Sequence, residues 1–236
     1  MPEDEIQDKS RRTFLKAMIV ISAGAAVASV IKGGVANIIA PSVGLTSFPS
    51  LLIVDTSGKP IIADNIPVST SIPFLFDYPL SGDPNFLLNL GNAIPSTKVS
   101  VPATGTTYDS PAGVGPKSSI VAFSAICQHL GCTPPEIHFY PPGSSVIGTS
   151  YSGSSNPGFI HCSCHGSTYD PNKGAGVITG PTTHPLPPIE LKYNSDKTLT
   201  AYGMTSGSPT IYGRPSDLTG GTPLSGSTTE VSLLSS

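Results

Sequence analysis

The chain has 236 residues, room for one ordinary domain and an appendage. Gly and Pro number 25 each and charged residues make up 11%, where about 12% Gly plus Pro and ~25% charged is usual. This argues against a helical bundle, whose interiors both residues weaken, and against a wholly disordered chain, which would carry far more charge. The formal net charge of −3, with no basic block after Lys16, argues against a nucleic-acid-binding surface. Many short strands joined by turns are expected.

Ser10-Arg11-Arg12-Thr13-Phe14-Leu15-Lys16 fits the twin-arginine export pattern, and an apolar run from Ala17 to Ile31 follows it. That route exports proteins already folded, commonly with a cofactor inside. Ala17 to Ala40 contains one charge, Lys32. As a helix it would span roughly 36 Å, enough for a bilayer core of about 30 Å. Small residues such as Ala26 and Ala28 lie inside the run and not after it, so a retained anchor is expected rather than a cleaved signal. Lys9, Arg11, Arg12 and Lys16 precede the span, which keeps the N-terminus inside and the rest on the extracytoplasmic side.

Residues 41–49 read as a neck. Leu51 to Asp55 reads as a strand running into a Thr-Ser-Gly turn. Residues 59–117 are ambiguous, and Phe86 to Leu90 fits either a strand or one to two helical turns. Ser119 to Ile126 is a strong buried strand, and Gly158 to His161 a short one. Ile189–Tyr193 and Leu199–Tyr202 flank Asn194-Ser-Asp-Lys, a hairpin signal. From Gly203 the chain turns Gly-, Ser-, Thr- and Pro-rich, which suggests a loose tail with at most an edge strand at Thr210–Tyr212.

The four cysteines fall in two groups, Cys127-Gln-His129-Leu130-Gly131-Cys132 and Cys162-Ser-Cys164-His165-Gly166-Ser167. The second is C-x-C-H, not the C-x-x-C-H of c-type haem attachment. Zinc takes Cys₂His₂ sites, and a [2Fe–2S] cluster can be held by two Cys on one iron and two His on the other. Three features favour the cluster. The loops are near-duplicates, each able to give one Cys and one His. One Cys is left over from each, and the two could form a bridge. Ser167 and Tyr169 lie downstream with hydroxyls to offer to cluster sulfurs.

C-x-H-x-G-C followed by C-x-C-H-G-S-x-Y resembles the Rieske iron–sulfur protein of quinol-oxidising respiratory complexes of the cytochrome bc type. Gly180-Pro181, ahead of His184-Pro-Leu-Pro-Pro188, is similar to the family's third loop, which covers the cluster. The resemblance covers both cluster loops residue by residue. The stretch between Cys132 and Cys162 is longer than in mitochondrial members, and residues 59–117 and the tail match nothing comparable. The resemblance implies Cys127 and Cys162 on one iron, His129 and His165 on the other, and a Cys132–Cys164 disulfide. Ser167 and Tyr169 would donate hydrogen bonds to sulfur. Leu130 would shield the cluster or pack on the third loop, and Gly131 and Gly166 would shape the turns.

Two neutral imidazoles in place of thiolates make the cluster less negative and raise its potential. Reduction raises the pKa of a ligand imidazole, which couples electron to proton uptake at His129 or His165. The resemblance favours His165 as the quinol-facing ligand. Of the other histidines, His161 reads as structural, its side chain facing away from that of Cys162. His138 reads as exposed. His184 could line the third loop.

The implied organisation is a signal and anchor at 1–40, a neck at 41–49, an all-β Rieske domain at 50–203 and an extension at 204–236. The domain would have stacked antiparallel sheets with a cluster-binding subdomain at about 118–188. The implied function is electron transfer from quinol, beside a cytochrome b-type membrane subunit, to an external cytochrome or blue-copper acceptor. The neck would let the head swing between them. The alternative is the small Rieske subunit of an exported molybdenum enzyme of the arsenite oxidase type. A zinc-stapled surface module is a third reading. A surface with few carboxylates to titrate suits an acid-exposed exterior, as in an acidophilic archaeon.

Overall fold

The computed structural model describes residues 48–151, 153, 156–205 and 221–234. The export motif, the expected anchor, the neck as far as residue 47 and Thr210–Tyr212 lie outside the described residues. No helix among the described residues is long and apolar enough to cross a membrane.

The described chain is almost all strand: β1 Leu51–Val54, β2 Phe74–Asp77, β3 Pro84–Asn89, β4 Thr97–Val101, β5 Thr106–Ser110, β6 Ile120–Ser124, β7 Ile137–Tyr140, β8 Phe159–Cys162, β9 Ser167–Asp170, β10 Gly176–Thr179, β11 Ile189–Tyr193, β12 Leu199–Met204 and β13 Thr228–Leu233. Two 3-10 turns, Ala63–Asn65 and Pro171–Lys173, lie among the strands. The all-β expectation therefore holds. Phe86–Leu90 takes the strand alternative, since its alternate side chains serve two different cores.

A seven-stranded base has the order β11-β12-β1-β13-β2-β3-β6. Its two ends meet, because Phe123 bridges Pro188 and the Ser124 N–H donates to the Pro187 carbonyl at 2.9 Å. Leu51, Ile53, Phe76, Leu87, Ile120, Leu199 and Val231 fill the enclosed core. The cluster sheet is four-stranded, β10-β9-β8-β7, and β4–β5 is a separate hairpin.

All five residues of β6 are buried, and strand alternation explains it. Ile120 and Ala122 face the base core, while Val121 and Phe123 face a second core between base and cluster sheet. Extending that second face gives Ala125 and then Cys127, both in the second core with Ile137, Phe139, Ile160, Cys162 and Tyr169. Two-residue periodicity thus delivers Cys127 to the top of the second core. β6 belongs to the base, so the cluster sheet proper begins at β7, not near Ser118.

The tail after Gly203 differs from the expectation of a loose end. β13 lies in mid-sheet, parallel to β1 and antiparallel to β2. Only Thr229 and Val231 of its six residues are buried, so its sequence carries little hydrophobic signal. The expected neck also ends sooner. Phe48 stacks on Tyr78 at 6.4 Å, and the buried Tyr78 hydroxyl donates to the Pro49 carbonyl at 2.7 Å. These two residues are part of the head.

Candidate metal centre

Three loops converge at one end of the second core. The first leaves β6 and closes on itself: Cys127 N–H donates to the Cys132 carbonyl at 2.8 Å, and Gly131 N–H to the Cys127 carbonyl at 2.9 Å. The second joins β8 to β9 with the same device, Gly166 N–H donating to the Cys162 carbonyl at 2.9 Å. Gly131 and Gly166 have φ of 83° and 87°, left-handed values that favour glycine. Each turn needs its glycine for that reason. The third loop enters at Gly180, where a Cβ would lie 2.5 Å from the Ser167 Cα.

A disulfide, Cys132–Cys164, ties the first two loops together. Cys127 and Cys162 are free and buried. The sulfurs of Cys132, Cys162 and Cys164 lie within 4.8 Å of one another. Two of these are bonded to each other, so that trio marks where Cys162 sits against the bridge and is not a ligand set. The His129 and His165 rings stand 4.9 Å apart, edge to face. His165 is exposed and His129 half-buried. The two loops therefore bring two thiols and two imidazoles to one place, thiols inward and imidazoles outward.

The polar inventory is incomplete in an informative way. His129 Nδ1 and Ser167 Oγ are buried with no hydrogen-bond partner, and Ser167 is fully buried. Buried polar atoms are nearly always paired. A group that takes a nitrogen ligand and offers sulfur acceptors would satisfy both, so these residues fit an iron–sulfur cluster. Cys127 is pulled down to about 6. The hydrogen bond with the Cys162 thiol is the main cause, with the Tyr169 hydroxyl and the His129 backbone adding to it against burial. Cys162 is pushed up as the donor of that pair and by burial. A site that stabilises negative sulfur is one that a metal can use.

Tyr169 is fully buried. Its hydroxyl lies 3.4 Å from Cys127 Sγ and accepts the Gln128 N–H at 3.0 Å. Leu130 is 64% exposed, so it is not buried against the third loop. His161 faces away from the thiols and bonds Thr168 Oγ1 at 2.8 Å, a structural role. His138 is half-buried, not exposed, because it sits beside Tyr140 on β7 and meets the Ser71 backbone. His184 lies on the third loop, 3.2 Å from Thr183 Oγ1. Gln128 and Thr182 belong to the site's surroundings, and neither carries a motif that would have marked it.

Residues 98–190 match the family profile of the Rieske [2Fe-2S] domain, and that span contains all three loops. Residues 98–190 are a Rieske [2Fe–2S] domain. Such a domain implies a [2Fe–2S] cluster. Two relatives carry the name cytochrome bc1 complex Rieske iron-sulfur subunit, from Streptomyces lividans and Streptomyces coelicolor. Each is 36% identical over 84 residues, or 36% of this chain. The matched stretch spans 40% of the first and 19% of the second, less than half of either relative. The soluble domain of Rieske protein II from Sulfolobus acidocaldarius is similar at 28% identity with a TM-score of 0.46, covering 72% of this chain and 87% of that one. The Rieske domain here thus comprises the β4–β5 hairpin, β6 and the cluster sheet, and ends within β11.

Proposed function

We propose that the chain is the membrane-anchored Rieske subunit of a quinol-oxidising, cytochrome bc-type complex, with a cytochrome b-type membrane subunit as its neighbour. One observation carries the reading. Two Cys–His loops, bridged by Cys132–Cys164, present an inward thiol pair and an outward imidazole pair whose buried His129 Nδ1 lacks a partner. Cys127 and Cys162 would hold one iron, and His129 and His165 the other. The cluster supplies one-electron chemistry.

The chain's own residues do the rest. His129, binding through Nδ1, would keep its outer N–H toward the loop surface. His165 is the exposed ligand ring; with one nitrogen on the oxidised cluster, its other nitrogen would stand deprotonated and would accept the quinol hydroxyl's proton as the electron leaves. Ser167 and Tyr169 would donate to sulfur and favour the reduced state. The disulfide and the three glycine turns keep the loops from rearranging between redox states. The electron would pass on to an external cytochrome or blue-copper protein. Residues 17–40 would anchor the head on the extracytoplasmic side.

The test is iron analysis and electron paramagnetic resonance of the purified full chain, with recovery of the tagged chain from native membranes. Two irons per chain, a signal of histidine-ligated [2Fe–2S] type and co-purifying b-type haem are expected. Zinc in place of iron would overturn the reading. A molybdenum-containing partner without haem would overturn the quinol assignment alone.

A further inference from the structure

The β4–β5 hairpin comes from a stretch of sequence that no motif explains, and its apolar face is small. Val99 and Val101 alternate with Lys98 and Ser100, and Tyr108 and Ser110 flank Asp109, so each strand buries one side only. Val99 lies directly opposite Tyr108, and the two form a core with Val101. An isolated hairpin is marginal in water, so this one depends on what it leans against. Its root is tied to the second core through Ile94: the Ile94 N–H donates to the Ser118 carbonyl at 2.9 Å, and the Gly113 N–H to the Ile94 carbonyl at 2.9 Å. Its buried side meets Gly174, where a Cβ would come within 2.6 Å of Val99 and 2.5 Å of Ser110. The turn at its tip carries Ala103, whose N–H donates to the Thr183 carbonyl of the third loop at 3.0 Å.

The third loop runs from β10 to β11 without a strand of its own, so ties of this kind set its place. At one end Gly180 is seated on the second loop, where a Cβ would lie 2.5 Å from the Ser167 Cα and 2.6 Å from the Gly166 carbonyl oxygen. At the other end the Leu186 N–H donates to the Ala175 carbonyl at 3.2 Å. Thr183 lies between these ends, and the hairpin tip holds it. The hairpin also backs the Leu186 tie, because Ala175 follows the Gly174 on which Val99 and Ser110 rest. One element therefore acts on the loop twice, at Thr183 directly and at Leu186 through the Gly174–Ala175 turn. Ala103 and Thr183 are both exposed, so their bond competes with water and depends on the hairpin staying seated. The seat of Gly180 matters because the Ser167 hydroxyl is buried at the site without a partner. A loop that lifts at Gly180 frees the Ser167 backbone and loosens the aim of that hydroxyl.

We propose that the β4–β5 hairpin is a strut that seats the third loop on Ser167, with Ala103 and Val99 as its positioning residues. The strut gives part of residues 59–117 a use and touches no ligand itself. Its effect on the iron site rests on the cluster reading above.

The experiment uses the full chain, iron-loaded for a reductive titration and metal-free for amide exchange. In the metal-free wild type the Ala103 amide should exchange about tenfold more slowly than in an unstructured peptide of the same sequence, although it sits in an exposed turn. Val99→Ala trims the contact with Gly174 and should quicken that exchange. Once iron-loaded, the same variant should hold its electron about threefold less well, roughly 30 mV for a one-electron couple. Ala103→Pro removes the tip donor and should lower the potential likewise; if it does not fold, Val99→Ala decides alone. Lys98→Ala lies on the open side of β4, where it removes an exposed pair with Asp109, and should leave both readings at the wild-type value. An Ala103 amide that exchanges at the peptide rate in the wild type would overturn the proposal. So would a wild-type potential in Val99→Ala, or a shift in Lys98→Ala as large as that in Val99→Ala. Failure of the wild type to take up iron would sink the cluster reading, and the exchange of Ala103 would still decide whether the hairpin holds the loop.

Discussion

In the base, Leu51, Ile53, Phe76, Leu199 and Val231 close around a core of side chains, and a curled sheet joins its own ends at Phe123 and Pro188. At the tip, position is set by a disulfide, by glycines at left-handed turns and by hydrogen bonds between loops. The base gains its order from apolar burial, which tolerates small shifts. The tip has to keep several polar atoms in register, and burial alone gives no such precision. The two regions should therefore fail separately, through different substitutions.

The sharpest break is Cys132→Ser. Losing a native disulfide costs about 2–5 kcal/mol, and here the loss removes the covalent link between the two loops. Iron should be lost almost completely, while far-ultraviolet circular dichroism still reports the base strands. Loss of both signals together would mean that the regions are one cooperative unit. Leu51→Ala is the converse. Leu51 is fully buried, so about 2–5 kcal/mol of stability should go, seen in a urea melt. The folded fraction should keep its midpoint potential unchanged.

Gly180→Ala tests the join. Its Cβ would meet Ser167 backbone, and overpacking of this kind costs ~1–3 kcal/mol. Because Ser167 must move, the potential should fall as well, which distinguishes this variant from any in the base core.

The smallest effects are expected from pH, and they differ in sign between the regions. Glu190 in β11 is raised by burial, against bonds from Thr205 and Tyr202, with Tyr78 also nearby. Its protonated form is favoured in the fold, so its contribution is complete below the ordinary carboxylate pKa and is lost as pH rises through the raised one. Glu190→Gln should flatten that dependence in chemical denaturation at several pH values. His138 in β7 is lowered by burial, despite its bond to Ser71, with Tyr140 and His161 as its neighbours. Its contribution is present above the ordinary imidazole pKa and is lost as pH falls through the lowered one. Acid should therefore favour the base at Glu190 and strain the cluster sheet at His138. His138→Gln should blunt the acid sensitivity.

What the sequence discloses follows the same division. The tip was legible because its chemistry needs particular residue types at fixed spacing, from Cys127 to Cys132 and from Cys162 to Tyr169. Strand β6 was legible because a strand buried on both faces is continuously apolar. β13 was not, since Thr228-Thr-Glu-Val-Ser-Leu needs one large inward residue where its neighbours supply the rest. The hairpin at 97–110 was hidden because its small core is three side chains. His138 was misread in exposure, which depends on what a strand packs against and not on its own letters.

The central claim is that Cys127, His129, Cys162 and His165 together hold a [2Fe–2S] cluster with mixed ligands. A reductive titration of the purified chain, followed by electron paramagnetic resonance, tests it most directly. A midpoint potential between roughly −150 and +300 mV, falling as pH rises through the ligand histidines, is the expected result. A value near −400 mV, indifferent to pH, would be that of an all-thiolate cluster and would contradict the account.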